Sequence, residues 1–438
     1  MAHSYARLLD PALEDDSNPF AGYDDRRELL EDRLYLPCGV DPHGDLCGVV
    51  FAHPYPQQTQ VLSQRIIRNN NLQDMLWMIE TGDRLAARFQ STPVYVFEST
   101  NVFWRAQRNF LHRAGYATAT VCGRQTKHAR STVTRKTRND LKDAYNIAKV
   151  FKQGDSHATR ILPEPLASLR EYCRLHQFLV SYSVAIQNRM YCIRYQTHPE
   201  FDDHFSKHVC PTTLALMEAE LVHPLHLLDC DLDYLTHVIR TASRGKLGRK
   251  RAEELSLSAQ STFPPPYAVE GLSFGLRILA QAYRHLHTHL LPPLVQRIQA
   301  ILDADDFPFT HHLDEIKYFG PIVTGNYLAE LGLPSWFSTV DSVVAWFGLD
   351  PSVAESANKP TGQTHLTKRG TKYGRRIMWL VGRNWSRFVP QGRRLYLKER
   401  NQHKRSYDAA VCVVAAKLVR IAFAMVRDGS HFDIDKAF

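Results

Sequence analysis

Four acidic residues pose the first question of chemistry. Asp41 follows the apolar run Leu34–Val40, Glu98 follows the run Pro93–Phe97, and Asp140 and Asp143 open the amphipathic stretch Asn139–Phe151. Residues three apart on a helix share a face, so the last two present their carboxylates together. A strand-borne Asp, a Glu at the end of a later strand and an acidic pair on a helix are what divalent-metal cleavage of a phosphodiester needs. Mg²⁺, or Mn²⁺ in its place, takes hard oxygen ligands and keeps positions for water and phosphate oxygens. Without a cation, four clustered carboxylates would raise one another's pKa values. Taken singly, each is an ordinary surface acid, and a helix N-terminus favours Asp140 in any case. Joint placement on matching elements sets the group apart.

Those elements are legible from apolar patterning. Leu34–Val40 and Leu46–Ala52 read as strands around the turn Pro42-His43-Gly44-Asp45, and Val61–Arg68 reads as a third. A helix follows from Asn71, its N-cap, to Phe89; then strand Pro93–Phe97, helix Asn101–Ala114, strand Ala117–Cys122 and helix Asn139–Phe151. The order is β-β-β-α-β-α-β-α. If the first and fourth strands are neighbours, Asp41 and Glu98 leave the same sheet edge and the last helix lays its acidic pair against them.

The remainder reads as helical. Leu169, Tyr172, Leu179, Ile186, Met190 and Ile193 fall at three-or-four spacing within Leu166–Tyr195, with polar His176 and Ser183 breaking the stripe, a long helix that could form half of an antiparallel or intermolecular coiled coil. A basic cluster, Arg244, Lys246, Arg249, Lys250 and Arg251, precedes a break at Pro264-Pro265-Pro266. Another helical region runs from Leu272 to about Asp303, interrupted at Pro292-Pro293. Beyond Pro308, helices are expected at Leu313–Phe319, Val323–Leu331 and Val340–Phe347; the first two form a helix-turn-helix hairpin whose backbone N–H groups could meet a phosphate. A loop, Gly348–Leu366, and a terminal helix, Tyr407–Arg427, complete the chain.

Charge is segregated. Between Thr361 and Arg405 stand thirteen Lys or Arg against the single acid Glu399, although the whole 438-residue chain is only +9. The basic character therefore belongs to one segment, and Tyr373, Trp379, Trp385 and Phe388 interleave with it. Such a stripe neutralises phosphates without reading sequence; a solvated face is the bland alternative, and the aromatics read as core. The eight cysteines show no C-x-x-C pair, which argues against a zinc knuckle or disulfide framework and for a reducing compartment. The most apolar stretch, Ala409–Val426, is interrupted by Lys417 and Arg420, so a buried amphipathic helix is expected rather than a membrane span. With no basic-then-apolar leader at the start, a cytoplasmic protein is expected.

The segments Gly39-Val40-Asp41, Val96-Phe97-Glu98 and Arg138-Asn139-Asp140-Leu141-Lys142-Asp143-Ala144 resemble the DEDD transposases, the family that includes bridge-RNA-guided recombinases of bacterial insertion sequences and some DNA invertases. Trp346-Phe347-Gly348-Leu349-Asp350-Pro351 and Leu366-Thr367-Lys368-Arg369-Gly370 are similar to the family's later blocks. The resemblance covers roughly Leu34–Ser430, more loosely in the middle, where Asn188-Arg189 on the long helix carries it. It implies that Asp41, Glu98, Asp140 and Asp143 hold the metal and that Ser356, five residues after Pro351, is the nucleophile. Two positions depart from the pattern: Tyr318 and Ala357 stand where the family usually has glycine.

The expected fold is α/β plus α. A ribonuclease-H-like (Holliday-junction-resolvase-like) mixed-sheet domain, residues 34–155, follows an acidic extension, 1–33. A helical or coiled-coil linker region, 156–305, leads to a mainly helical transposase domain, 306–438, containing the hairpin, the serine loop and the basic segment. The expected function is transposition: donor and target DNA cut and rejoined through a metal-activated serine and a covalent phosphoserine, with a structured guide RNA as partner. One protomer's carboxylates would meet another's serine in a dimer or tetramer, joined through the long helix. Lys368, Arg369, Lys372, Arg375, Arg376, Arg249, Lys250 and Arg251 are the expected nucleic-acid contacts. Two rivals remain open: a junction-resolving hydrolytic nuclease with Ser356 idle, and a catalytically inactive nucleic-acid-binding scaffold.

Overall fold

A computed structural model describes residues 34–99, 102–131, 139–154, 156–158, 160–304, 312–350, 355–356, 359–360, 366 and 370–438. The acidic extension 1–33, Ala357, Lys368 and Arg369 lie outside the described residues. The chain divides into two compact units, Met1–Pro163 and Glu164–Phe438.

In the first unit β1 (Tyr35–His43), β2 (Leu46–Ala52) and β3 (Val61–Arg68) form an antiparallel meander. Next come α1 (Leu72–Phe89), β4 (Thr92–Glu98), α2 (Phe103–Arg113), β5 (Ala117–Val121), α3 (Gly123–Ser131), α4 (Asp140–Lys152) and the short β6 (His157–Ala158). The strand order is β3-β2-β1-β4-β5-β6, with β4 parallel to β1 and β5 parallel to β4. This mixed sheet, with β1 and β4 adjacent at its centre, has the order expected of a ribonuclease-H-like unit.

Both sheet faces are covered, which explains why the central strands are nearly continuous apolar runs. Leu36, Cys38, Val40, Tyr95 and Phe97 pack on α1 and α2 through Met78, Ile79 and Leu111. Tyr35, Val94 and Val96 pack on α3 and α4 through Ala129, Ile147 and Val150. Asn71 caps α1 as expected, accepting a hydrogen bond from Asp74 N at 3.0 Å. The sequence reading missed α3, because in Gly-Arg-Gln-Thr-Lys-His-Ala-Arg-Ser only Thr126 and Ala129 among the described side chains are buried, too few for a periodic stripe.

The second unit is helical: α5 (Leu166–Thr197), α6 (Pro211–Glu218), α7 (Pro224–Asp229), α8 (Leu232–Ala242), α9 (Arg249–Ser261), α10 (Val269–His285), α11 (Leu291–Leu302), α12 (Pro321–Leu331), α13 (Val340–Trp346), α14 (Lys372–Phe388), α15 (Pro390–Asn401), α16 (Tyr407–Asp428) and α17 (Ile434–Ala437). The stripe on α5 is buried within this chain. Ile186, Met190 and Ile193 pack against residues of α6 to α10, while Leu169 and Cys173 pack against Gly325 of α12.

Two expectations are corrected here. Pro292-Pro293 do not interrupt the helix: a π-helical turn, Leu286–Leu290, precedes α11 and the prolines occupy its first turn, where missing N–H donors and ring bulk are tolerated. Leu313–Phe319 is not a helix but a three-residue 3₁₀ turn, Leu313–Glu315. Tyr318 has φ +75°, which ends any right-handed path, and α12 starts only at Pro321. The helix α16 is long and apolar enough to cross a membrane, yet 61% of its most apolar window is buried in this unit, as a core helix would be.

Candidate active site

The elements that carry the four acids meet at one end of the parallel pair. Val40 pairs with Phe97 in the β1–β4 ladder, and Asp41 and Glu98 are the next residues on each strand. Alternation fixes their face. Val40 and Phe97 point toward α1 and α2, so Asp41 and Glu98 fall on the opposite face with Gly39 and Val96, under α3 and α4. Asp41 pairs with Gly48 across the β1–β2 turn.

Gly39 and Gly48 make this proximity achievable. A Cβ on Gly48 would lie 2.5 Å from the Asp140 carbonyl oxygen, and one on Gly39 would strike the backbone of Ala144 and Ala148. The helix α4 thus rests directly on the backbones of β1 and β2. Asn139 caps it, its side-chain oxygen accepting from Leu141 N at 3.0 Å. Asp140 and Asp143 occupy the first turn, and both are half-buried, as are Asp41 and Glu98.

Glu98 is oriented by Thr126 of α3, fully buried, whose Oγ1 donates to Glu98 Oε2 at 2.7 Å. Thr126 and the two glycines are positions at the candidate site that apolar periodicity could not reveal. Cys47, beside the site on β2, contributes no soft ligand. Burial pushes its thiol well up, the Asp41 and Asp140 charges add to this, and the protonated sulfur lies 3.9 Å from Gln107 Oε1. Four carboxylates with no ionised thiol among them form an all-oxygen donor set that fits a hard divalent cation.

In the second unit Ser356 lies on β7 (Glu355–Ser356), which pairs with β8 (Lys359–Pro360) in a small hairpin, Ser356 opposite Lys359. The segment carrying it has a fixed base. Thr371 N donates to Trp346 O at 2.7 Å, and Gly370 lies so close to that carbonyl that any Cβ would collide with it. Gly348, at φ +65°, faces the Arg375 guanidinium. The two sequence blocks flanking the serine segment are therefore packed on each other.

Thr371 also caps α14, accepting from Gly374 N, and donates its hydroxyl to Glu330 Oε2 at 2.6 Å. Glu330 is 1% exposed and forms a two-point pair with Arg174, at 2.7 and 3.1 Å. Burial pushes its pKa up, but the Arg174 hydrogen bonds and charge, aided by Arg170 and Thr371, hold the carboxyl below the ordinary glutamate range. Arg174 lies over Tyr373 at 4.7 Å. A buried ion pair thus sets where the basic helix begins.

Lys372, Arg375 and Arg376 line a cleft of about 380 Å³ with Leu366, Trp379, Leu380, Asp408 and Cys412. Arg375 Nη1 is buried and has no hydrogen-bond partner among the described residues, while Lys372 and Arg376 are exposed. Trp385 is core, as expected of the aromatics, but Phe388 is exposed. The other expected basic contacts are partly neutralised. Arg249 pairs with Asp233 at 2.7 Å and Glu253 at 3.1 Å, and Arg251 pairs with Glu254 at 2.8 Å; Lys250 is exposed beside them.

The IS110 DEDD transposase model matches residues 39–199, and that of the IS116/IS110/IS902 transposase family matches residues 310–397. Together they span more than half of the chain, including all four carboxylates and Ser356. No curated protein matches it. Among solved structures, T. thermophilus RuvC in complex with a Holliday junction substrate overlaps 28% of this chain and 99% of its own, at 14% identity and a TM-score of 0.21. Strand order and pairing, not this overlap, carry the fold. With both halves matched, the chain belongs to the IS110 family of DEDD transposases.

Proposed function

We propose that this protein is a DNA recombinase that cuts and rejoins strands through a covalent phosphoserine on Ser356. The observation that carries the reading is the meeting of the ends of β1 and β4, which carry Asp41 and Glu98, with the first turn of α4, which carries Asp140 and Asp143, in a chain whose second matched block contains Ser356. Asp41, Glu98, Asp140 and Asp143 would hold Mg²⁺ or Mn²⁺, which when bound would supply Lewis-acid polarisation of a phosphate oxygen. Asp41 and Glu98 hold their ligand positions from the sheet, Thr126 orients Glu98, and α4 brings the acidic pair.

Ser356 Oγ forms the new bond to phosphorus as the bond from phosphorus to the leaving sugar oxygen breaks. The serine proton ends on that leaving oxygen, giving one free DNA hydroxyl and one phosphoserine-linked end. A hydroxyl from another strand then displaces the serine, so the ester's energy is kept for rejoining. Arg375 and the exposed Lys372 and Arg376 meet backbone phosphates and charge developing in the transfer; Lys368, Arg369 and Lys250 are further phosphate contacts in this reading. A structured guide RNA selects donor and target, and the chain acts as a homo-oligomer through the exposed face of α5, where Leu175, Phe178 and Tyr182 are open to solvent.

The same carboxylates also suit a junction-resolving nuclease that uses water as nucleophile. Incubation with substrate DNA, guide RNA and Mg²⁺ followed by denaturation separates the readings. DNA linked to the wild-type protein but not to Ser356→Ala supports the recombinase. An adduct that persists in Ser356→Ala sinks the serine assignment. Cleavage without an adduct assigns the hydrolase, and salt-sensitive binding without cleavage an inactive scaffold.

A further inference from the structure

Among the described residues, one cluster outside the sites above has the donors of a transition-metal centre: His312, Glu315 and His431. His312 immediately precedes the 3₁₀ turn that ends on Glu315, and His431 follows Gly429, the left-handed cap of α16. His312 Nδ1 lies 3.2 Å and His431 Nδ1 2.7 Å from Glu315 Oε1, and the two ring centroids are 3.6 Å apart. The other Glu315 oxygen accepts from Phe432 N at 2.7 Å, which fixes the plane of the carboxylate. His312 holds φ +74°, a left-handed conformation that costs a non-glycine residue about 1 kcal/mol.

We propose that His312, Glu315 and His431 form a Zn²⁺ site, completed by water, that clips the C-terminal segment to the start of the matched C-terminal block. Tetrahedral Zn²⁺ bonds imidazole nitrogen and carboxylate oxygen at about 2.0–2.2 Å, which sets ligand atoms roughly 3.3 Å apart. The His312–Glu315 separation already meets that spacing, and His431 reaches it by backing away about half an ångström. Two imidazoles with one carboxylate select Zn²⁺ over the Mg²⁺ that an all-oxygen set prefers. The clip also reaches the basic helix: Phe432 and Phe438 pack on Trp385 of α14 at 6.2 and 5.3 Å, and Trp385 Nε1 donates to Lys317 O at 2.7 Å.

The test titrates Zn²⁺ alone into metal-stripped full-length protein carrying Asp41→Asn, following bound metal per chain and thermal stability. The expected result is one tightly held equivalent and a rise in Tm, with affinity at least tenfold weaker and the rise lost in both His312→Ala and His431→Ala. His431→Asn guards against a folding defect, since His431 is exposed and the variant keeps the unliganded Tm. Equal Zn²⁺ affinity in the parent and both histidine variants overturns the proposal, because the metal is then held elsewhere. The absence of any tight equivalent overturns it as well.

Discussion

Gly48 on β2 lies directly beneath Asp140 at the start of α4, so close that a Cβ at position 48 would sit 2.5 Å from the Asp140 carbonyl oxygen. The missing side chain lets a helix terminus bearing two carboxylates settle against the strand paired with Asp41. The obstacle a side chain would meet is backbone, which cannot rotate away.

Gly48→Ala should therefore lift the first turn of α4 and move Asp140 from the other three carboxylates. A destabilisation of about 1–3 kcal/mol is expected from the overpacking. Strand cleavage should fall at least tenfold at temperatures where the variant is fully folded, because small displacements of positioned groups are costly. Cleavage rates at saturating Mg²⁺, alongside Tm, check this; unaltered cleavage would mean that Gly48 does not set the site.

Thr126→Val removes the hydroxyl that orients Glu98 while keeping its volume. Losing a hydrogen bond to a charged group costs about 1.5–3 kcal/mol, so Mn²⁺ affinity should weaken roughly tenfold or more. Asp41→Asn should abolish cleavage yet raise the metal-free Tm by relieving carboxylate repulsion. Calorimetric Mn²⁺ titration and thermal melts without metal measure both effects.

Glu330→Gln should destabilise the second unit by about 1–3 kcal/mol at neutral pH, because it leaves the half-buried Arg174 without its counter-charge. The wild-type contribution has a definite pH sign. A carboxyl whose folded pKa lies below its ordinary value of 4.5 contributes fully above that pH, and the contribution is lost as pH falls through the folded pKa. Acid melts should separate wild type from variant fully above pH 4.5 and converge as pH falls through the folded pKa. Parallel curves across that range would deny the ion pair its role.

Tyr318 occupies a left-handed position, φ +75°, with its half-buried ring near Lys317. Replacement by glycine relieves strain of about 1–2 kcal/mol and forfeits a modest contact, so Tyr318→Gly should be neutral or stabilising. Phe319→Gly, which removes a core ring, should cost about 3 kcal/mol or more. Denaturant midpoints for the two variants distinguish backbone relief from side-chain loss.

The sequence by itself determined the sheet and singled out four carboxylates as the candidate site. The runs ending before Asp41 and Glu98 are continuous because both sheet faces are covered, and period-two and period-3.6 patterns are local properties that survive without knowledge of partners. Resemblance then located Ser356, as no local pattern could. Tertiary structure decided what depends on neighbours distant in sequence. Thr126 sits on a polar helix whose only signal is the carboxylate it meets, and the prolines at 292–293 are absorbed by a π turn instead of ending a helix. The stripe on α5 was legible, but whether it faced another chain or this one depended on which helices packed against it. The four acids were readable as candidates because chemistry restricts the residue types a metal site can use; Gly39, Gly48 and the Glu330–Arg174 pair matter only through close approach, which exists only once the chain has folded.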